Sequence, residues 1–389
     1  MDRSTTGHGG DGMNNPVWMM SSALPQWTLE QLIAGATRMG LQGLELCVFR
    51  RDGTRSDHVA THLPYEGFGP EQAQRTVETF QQNGLGFSIG AFENLIGGDE
   101  GERLKNQNHL LKLIRMAALM GGNQNGITVG TFVGYNHQWD AEAGAFERNL
   151  HEYKRVFEPI IRYAEDLDVT LVYENCPMEG WRAAGYTNTM NNLPATLAAR
   201  KLMYALIPSR AHGETYDPSH DVWQFVDPVD VLEHSDLQRI KSIHLKATRM
   251  RRDAGSIHWG NVFAKQQVSA ELAAAAGVPV PVHEWDRFSY EPMLPGFGGS
   301  DSMDWRRFID YLMQHNYEGV FSIENEGANS KGTENDAAIE QGFTATLGFI
   351  KPMIWPLSTG QGYAFTGRNE LKLPEAKQLP VVTMQDLTA

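Results

Sequence analysis

Four side chains with oxygen or nitrogen donors each stand at the end of a short, mainly apolar run. They are Glu174, Asp217, His244 and Glu324, from well-separated parts of the chain. Three carboxylates and one imidazole suit a hard or borderline divalent cation such as Mn²⁺, Mg²⁺, Co²⁺ or Zn²⁺. A single polar residue at a strand end is usually just a hydrated group, but carboxylates buried together without a cation would be costly unpaired charges. The pattern therefore predicts a single metal site.

These residues can converge only in a fold that brings distant strand ends together. In a barrel of parallel strands, all the carboxyl-terminal ends meet at one mouth. Strand-like apolar runs occupy residues 17–23, 44–48, 86–90, 127–132, 169–174, 213–217, 240–244 and 319–324. Helical patterns alternate with them at residues 28–38, 70–82, 102–120, 143–167, 193–206, 228–234, 305–315 and 336–353. The alternation predicts an α/β fold, a (β/α)8 TIM barrel over residues 17–351.

A doubly wound parallel sheet is the alternative fold for this alternation. Such a sheet would place its ligands at one switch point and would usually carry a phosphate-binding glycine motif near the start of the chain. The glycine-rich segment Gly296-Phe-Gly-Gly299 has no strand before it and is typical of a turn. The barrel is therefore the preferred interpretation.

Three segments lie outside the predicted barrel elements. Residues 1–16 are rich in Gly, Ser and Thr, and we expect a disordered leader. Residues 248–303 form a long insertion after strand 7, which should overhang the mouth as an active-site cover or a partner surface. Residues 352–389 contain several prolines, and we expect an irregular C-terminal tail that wraps the barrel or a neighbouring subunit.

The charge balance argues against a nucleic-acid partner. Lys and Arg number 33 against 47 Asp and Glu, which gives a formal net charge of −14. A field of that sign disfavours phosphate backbones. Arg249, Arg251 and Arg252 form a local basic run, which is typical of a hydrated or ion-paired face.

Cysteine use and hydropathy predict a cytoplasmic protein with no membrane contact. The chain has only Cys47 and Cys176 and no C-x-x-C pair, which is typical of a reducing compartment. Its start lacks a basic segment followed by an apolar core of signal-peptide length, and no apolar run approaches a membrane span. Cys176 could be a nucleophile, but a small buried loop residue is the preferred interpretation.

Five segments give the chain a family resemblance. They are Tyr173-Glu-Asn-Cys-Pro-Met178, Tyr216-Asp-Pro-Ser-His-Asp-Val-Trp-Gln224, Ile243-His-Leu-Lys246, Pro295-Gly-Phe-Gly298 with Asp304-Trp305, and Tyr317-Glu-Gly-Val-Phe-Ser-Ile-Glu324. With them the chain resembles the xylose-isomerase-like TIM-barrel superfamily, specifically the sugar phosphate isomerase/epimerase type, over about residues 17–350. The resemblance implies that the four predicted ligands bind one divalent cation, most often Mn²⁺.

The resemblance also implies residues that contact the substrate. His220 corresponds to a histidine near the substrate oxygens, although a loop-capping role is an equal alternative. Lys246 should face the same side of its strand as His244, so it either donates to a substrate oxygen or pairs with a ligand carboxylate. We also predict a substrate contact for Arg287, within the insertion.

Two departures from the family pattern change the predicted mouth. Ala247 replaces an aspartate that follows the lysine in many relatives. The loop after the fourth strand reads Phe132-Val-Gly-Tyr-Asn-His137, where relatives often carry an arginine. An arginine clamp is therefore not expected here. His137 becomes a candidate general base, with a surface histidine as the alternative.

The predicted reaction is removal of a proton next to a carbonyl of a sugar or oxidised sugar, through an enediolate. Glu174, Glu324, His137 and His220 are the candidate bases, with His137, Glu174 and Glu324 preferred. Reprotonation gives isomerisation or epimerisation, and loss of a β-substituent makes the protein a lyase. Sequence alone does not choose among these outcomes.

The lyase alternative resembles the large subunit of C-glycoside deglycosidases, which eliminate the aglycone from a 3-oxo-glycoside and work with a small partner subunit. Aromatic residues in the insertion would suit a bulky aglycone, although they are more often self-packed: Trp259, Trp285, Phe288 and Tyr290. A metal-dependent endonuclease and a sugar-binding barrel without catalysis are further alternatives. We expect a small sugar or glycoside as substrate, and either a homo-oligomer or a complex with a small partner subunit.

Overall fold

Parallel strands form a closed barrel in this protein. The computed structural model describes residues 15–54, 60–178, 191–251, 257–258, 269–279, 290–297, 303–326, 335–354 and 370–388. Its strands are β1 (Val17–Met20), β2 (Gly43–Cys47), β3 (Gly86–Gly90), β4 (Thr128–Thr131), β5 (Thr170–Glu174), β6 (His212–Tyr216), β7 (Ile240–Leu245), β8 (Ala247–Met250), β9 (Tyr290–Met293) and β10 (Val320–Ile323). All but β8 and β9 close the barrel in the order β1, β10, β7, β6, β5, β4, β3, β2, with every neighbouring pair parallel. The predicted eight-stranded barrel is confirmed.

Most of the described helices lie between successive strands of the barrel, while α8 lies within the insertion. They are α1 (Leu29–Met39), α2 (Pro70–Gln82), α3 (Glu100–Leu119), α4 (Ala145–Asp166), α5 (Leu197–Leu206), α6 (Ser219–Val222), α7 (Pro228–Glu233), α8 (Ala270–Ala276), α9 (Trp305–Gln314), α10 (Asp336–Ile354) and α11 (Met384–Thr388). Local sequence explains their ends. Thr28 and Gln31 form a capping box at the start of α1, and Gly40 ends that helix in the left-handed region. None of the described helices is both long and apolar enough to span a membrane.

Two predicted elements differ from the structure by three or more residues at one end, whereas the bounds of the others agree to within two. The first run was expected to be a strand over residues 17–23, but β1 ends at Met20 and a 3-10 turn follows. The strand ends there because Leu24 N–H bonds back to Ser21 C=O, and the Ser21 hydroxyl accepts from the N–H of Cys47. The helix expected over residues 193–206 begins only at Leu197, because Thr196 is extended and caps it.

The insertion begins and ends with strands that the sequence did not predict. β8 and β9 form a two-stranded antiparallel ribbon, with Ala247 opposite Met293. A single residue, Lys246, separates β7 from β8. Tyr290 at the start of β9 stacks on Trp223, with ring centroids 4.7 Å apart. The ribbon therefore fixes both ends of the insertion beside the barrel mouth.

Both ends of the described chain are bound to the barrel. Asn15, inside the segment predicted to be a leader, is buried and donates to the carbonyls of Tyr317 and Gly319; residues 1–14 lie outside the described part of the chain. In the tail, Leu371 is buried, and its carbonyl accepts from Gln81 on α2. The described part of the tail is therefore bonded to a helix around the barrel.

Candidate metal centre

The four predicted ligands meet at the carboxyl-terminal mouth of the barrel. Glu174 ends β5, Asp217 follows β6, His244 lies in β7 and Glu324 follows β10. One donor atom from each residue lies within 4.8 Å of the other three, and all four side chains are buried. They converge because β5, β6, β7 and β10 are successive strands in the barrel wall.

Asp217 is held with one carboxylate oxygen facing the centre. Ser219 N–H donates to Asp217 Oδ1 at 2.9 Å, and the Asn175 amide bonds both the N–H and the C=O of Asp217. Burial raises the pKa of Asp217, but the nearby charge of Lys246 outweighs it and holds this pKa below its ordinary value. Asp217 is therefore an ionised carboxylate whose Oδ2 faces the centre.

His244 is oriented by a carboxylate from the far side of the barrel. Its Nε2–H donates to Glu45 Oε2 at 3.0 Å, and Glu45 is a buried residue of β2. Its Nδ1 lies 2.9 Å from Glu324 Oε2 and 3.6 Å from Glu174 Oε1. A histidine that donates from one nitrogen to a carboxylate presents the lone pair of the other nitrogen to a metal. The Glu45 bond thus aims Nδ1 at the centre.

A glycine in β4 leaves room for the Phe92 ring beside the Glu45 carboxylate. A Cβ atom at Gly130 would lie 2.9 Å from Phe92 Cζ and 3.7 Å from Glu45 Oε1. The first of these distances is shorter than real carbon contacts allow, so a larger residue would have to displace the Phe92 ring. Gly130 therefore helps to keep the barrel interior open beside Glu45.

Lys246 supplies a buried positive charge at the edge of the cluster. Its Nζ lies 2.7 Å from Asp217 Oδ2, 3.0 Å from Glu324 Oε2 and 3.0 Å from Glu326 Oε2. Two roles were predicted for Lys246, and the structure shows one of them, the pairing with ligand carboxylates. Burial lowers the pKa of Lys246, but the charges of Asp217, Glu324 and Glu326 raise it well above its usual value. Lys246 is therefore an ammonium ion.

The electrostatic field of the cluster favours a cation. Burial lowers the pKa of His244, but the charges of Glu45, Glu324 and Glu174 outweigh burial and hold that pKa well above its usual value. A centre that draws a proton onto a buried imidazole is also attractive to a metal ion.

The donor set fits a divalent cation. Within the described part of the chain, Asp217 Oδ2, His244 Nδ1 and Glu324 Oε2 are buried atoms without an aligned hydrogen bond, and the two carboxylate oxygens share the charge of a single Lys246. Buried polar atoms are costly unless they are bound. A divalent ion held by these atoms and Glu174 would satisfy them, and carboxylates with one imidazole suit Mn²⁺, Mg²⁺, Co²⁺ or Zn²⁺.

His220 lies beside the centre, on the short helix α6. Its Nε2 is 3.2 Å from Asp217 Oδ2 and 3.7 Å from Glu174 Oε1, and the residue is 5% exposed. The family resemblance implies that His220 contacts the substrate, and its position beside the four ligands is compatible with that contact. The substrate role of His220 stays a prediction.

His137 lies in the 3-10 turn that follows β4, at the same end of the barrel. Its Nδ1 is 2.7 Å from Asp140 Oδ2, and its Nε2 is 2.6 Å from Asn191 Oδ1. His137 is not part of the four-ligand cluster. A substrate would have to displace Asn191 before Nε2 could accept a proton, so the role of His137 as a base stays a prediction.

Some predicted contacts lie outside the described residues. Arg287, Trp259, Trp285 and Phe288 are among them. Tyr290 is described, and its ring stacks on Trp223. This is packing within the protein, the alternative to an aglycone contact.

Sequence reasoning missed two carboxylates at this site. Glu45 lies in the middle of a buried apolar strand, where an unpaired charge would be costly. A carboxylate at such a position indicates a buried polar partner, so the sequence could have pointed to Glu45. Glu326 follows Glu324 by two residues, but its bond to Lys246 depends on the pairing of β7 with β10.

Comparisons with known proteins agree with this architecture. A family model described as xylose isomerase-like TIM barrel matches residues 33–351. None of the curated proteins compared with the chain matches it.

Solved structures share the fold at low sequence identity. The probable 3-DHS dehydratase AsbF from Bacillus anthracis is 15% identical, with a TM-score of 0.56 over 86% of this chain and 98% of that chain. A D-psicose 3-epimerase is 12% identical, with a TM-score of 0.56 over 87% and 99% of the two chains. The IolI protein, solved with a zinc atom, is 13% identical, with a TM-score of 0.56 over 88% and 99%.

The family match begins within α1 and ends within α10, so it includes every strand that carries a predicted ligand. Those strands are successive members of the closed parallel barrel, and of the barrel strands only β1 lies outside the match. The chain belongs to the xylose isomerase-like TIM barrel family.

Proposed function

We propose that this protein is a divalent-metal-dependent enzyme of the sugar isomerase or epimerase type. The observation that carries the proposal is the convergence of Glu174, Asp217, His244 and Glu324 within 4.8 Å at the barrel mouth. Proteins of similar fold include an L-ribulose 3-epimerase and a D-psicose 3-epimerase, by their names. The substrate class is a sugar or an oxidised sugar with a carbonyl next to a C–H bond.

Glu174, Asp217, His244 and Glu324 would hold the ion. When bound, a divalent cation would polarise the substrate carbonyl and stabilise the negative charge that develops on oxygen as the proton leaves. Most often this ion would be Mn²⁺, with Mg²⁺, Co²⁺ or Zn²⁺ as alternatives that the same donors suit.

Two carboxylates in the centre are suited to move the proton. Glu174 on β5 and Glu324 after β10 come from strands separated by β6 and β7, so they approach a substrate from different sides. Burial raises the pKa of Glu174, but the charge of His244 and the nearby imidazole of His220 outweigh it and keep this pKa below its usual range. Glu174 is therefore ionised and can accept a proton from the substrate carbon.

The other polar groups would position the substrate. Lys246 has three N–H donors and three carboxylate partners, so it would donate to a sugar oxygen only in exchange for one of them, such as Glu326. His220 faces the same space through Nε2. Return of the proton to the neighbouring carbon gives isomerisation, and its return to the opposite face of the same carbon gives epimerisation.

Elimination of an aglycone from a 3-oxo-glycoside is the alternative outcome of the same proton abstraction. It would make the protein the large subunit of a C-glycoside deglycosidase, a carbon–carbon lyase. The long segment between β8 and β9 supports this alternative, because it gives the mouth room for a cover over a larger substrate. A small partner subunit would then be required for full activity.

The test is a product analysis with the metal-loaded full-length protein. We would incubate it in D₂O with free sugars, sugar phosphates and 3-oxo-glycosides, and follow products and deuterium by NMR and mass spectrometry. The proposal expects deuterium at one substrate carbon, together with an isomer or epimer. Release of an aglycone would support the lyase. Absence of deuterium uptake and of product with every substrate class, in protein shown to contain metal, would contradict both.

A further inference from the structure

A second cluster of metal-binding side chains lies beside the proposed catalytic centre. Donor atoms of Glu174, Cys176 and His220 all lie within 4.8 Å of one another. Two of the three residues, Cys176 and His220, are outside the four-ligand set. The cluster therefore offers a thiol and an imidazole that the proposed sugar chemistry does not require as metal ligands.

The imidazole of His220 is buried, and its Nε2 faces the carboxylates of Asp217 and Glu174. The residue is 5% exposed, and neither of its ring nitrogens has an aligned hydrogen bond among the residues that the structure describes. The approach to Asp217 Oδ2, at 3.2 Å, lacks the alignment of a hydrogen bond. A buried ring nitrogen in this state is costly unless it binds something. His220 is thus a second indication of a ligand, independent of the cysteine.

A second sulfur atom lies next to the thiol. The Cys176 thiol is 3.3 Å from Met178 Sδ. Met178 has a positive φ of 52°, a backbone conformation that is uncommon for a residue with a side chain. Asn192 holds this turn by donating to the carbonyls of Glu174 and Cys176. The backbone therefore presents Cys176 from a fixed turn.

We propose that Glu174, Cys176 and His220 form a second ion site, for a thiophilic divalent cation of the Zn²⁺ or Cd²⁺ class. A thiolate, a carboxylate and a neutral imidazole balance two positive charges and are the donors that zinc takes in proteins. Donor atoms around a tetrahedral zinc ion are about 3.5 Å apart, so the side chains would need to move by only about 1 Å. The fourth position is open to water or to a second sulfur ligand.

The second ion site differs from the proposed catalytic centre in the metal ions that it prefers. Oxygen-rich donors suit Mn²⁺ and Mg²⁺, whereas a thiolate selects zinc-like ions. The two positions share Glu174, so an ion in the second one would take up a carboxylate that the proposed reaction uses. A soft cation is therefore expected to prefer the second site to the four-ligand centre, and to withdraw Glu174 from the proposed reaction when it binds there.

Cadmium is the probe for this proposal, because a thiolate bound to it gives an ultraviolet charge-transfer band. We would titrate the metal-loaded, full-length protein with Cd²⁺ and record that band. The expected result is one saturable band per chain that is lost in Cys176→Ala. Cys47→Ala is the matched control, since Cys47 is the other cysteine of the chain and is buried at the end of β2. The control should keep the band.

The His220→Gln variant distinguishes a metal site that includes His220 from a cysteine that binds Cd²⁺ by itself. It should weaken Cd²⁺ binding while Cys176 still reacts with a thiol reagent. Unchanged Cd²⁺ affinity in His220→Gln, no band in the wild type, or a band that persists in Cys176→Ala would each overturn the proposal. Cys176→Ser provides a second substitution if the alanine variant does not fold by circular dichroism. The readout does not need turnover, so it stands apart from the test of the proposed sugar chemistry.

Discussion

Glu45 and His244 are bonded across the inside of the barrel, with Glu45 Oε2 3.0 Å from His244 Nε2. Their strands, β2 and β7, are not neighbours, because β1 and β10 lie between them in the wall. The bond therefore orients a ligand of the proposed metal centre from a position that no adjacent strand could provide. It also sets which ring nitrogen faces the centre.

Glu45→Gln should weaken binding of the divalent metal. The amide can still occupy the space, but it no longer carries the charge that keeps the proton on Nε2. Loss of such a partner typically lowers metal affinity by about tenfold to a hundredfold. Competition with a metallochromic chelator measures the affinity directly.

Glu214→Gln is the control for that variant. Glu214 is also a buried carboxylate, but its Oε2 pairs with Arg200 Nε at 2.9 Å. We expect Glu214→Gln to lower stability and to leave metal affinity unchanged. Equal metal affinity in wild type and Glu45→Gln would show that Glu45 does not support the centre.

Glu324→Gln should abolish turnover and reduce bound metal, because it removes a carboxylate that the centre needs for both charge and proton transfer. Elemental analysis of purified protein gives the metal content. Glu318→Gln is the control, since Glu318 is exposed just before the same strand. Full activity in Glu324→Gln would remove Glu324 from the mechanism.

His137→Ala should leave the metal content unchanged and reduce deuterium uptake at the substrate carbon. The expectation follows from its place in the turn after β4, outside the four-ligand cluster. The measurement is proton exchange in D₂O with the sugar on which the wild type acts. His234→Ala is the control, because His234 bonds a carbonyl of its own exposed helix end. Undiminished uptake would exclude His137 as the base.

The free energy of unfolding should decrease as the pH is lowered from about 6.5 to about 4, in part because of His212. Burial lowers the pKa of His212 to about 4, against a hydrogen bond to Ile207 C=O that raises it. The unfolded chain takes up a proton below its pKa of 6.5 and the folded chain does not, so acid favours unfolding across this interval. The contribution of one such group is about 3 kcal/mol.

His212→Gln tests this dependence. The difference in unfolding free energy between about pH 7, above the interval, and about pH 5, inside it, should be smaller in the variant than in wild type. Urea denaturation at the two pH values measures it. An identical pH dependence in both proteins would show that His212 is not buried in its neutral form.

Leu371→Ala should destabilise the fold through the tail. Leu371 is 3% exposed and packs into the core, so its truncation should cost about 2–5 kcal/mol of unfolding free energy. Leu373→Ala, only two residues along, is the matched control because Leu373 is 46% exposed. Thermal and urea unfolding of both variants compare them. Equal stabilities would mean that the tail does not pack on the barrel in solution.

Local sequence was enough to predict the barrel and the meeting of the four ligands. Each of the four follows or ends a short apolar run, and parallel strands bring such ends to one mouth. The rest depends on contacts between distant segments. Glu45 could not be paired with His244 without the strand order of the barrel, and the short ribbon of β8 and β9 forms only because its strands meet across the insertion.

The antiparallel ribbon ties together the two ends of the segment between β8 and β9. Ala247 lies opposite Met293, and β8 follows β7 after a single residue, Lys246. Lengthening a chain segment whose ends are already fixed together costs little conformational entropy. Evolution, or an engineer, can therefore exchange the segment between them for another without shifting Lys246 from its carboxylate partners.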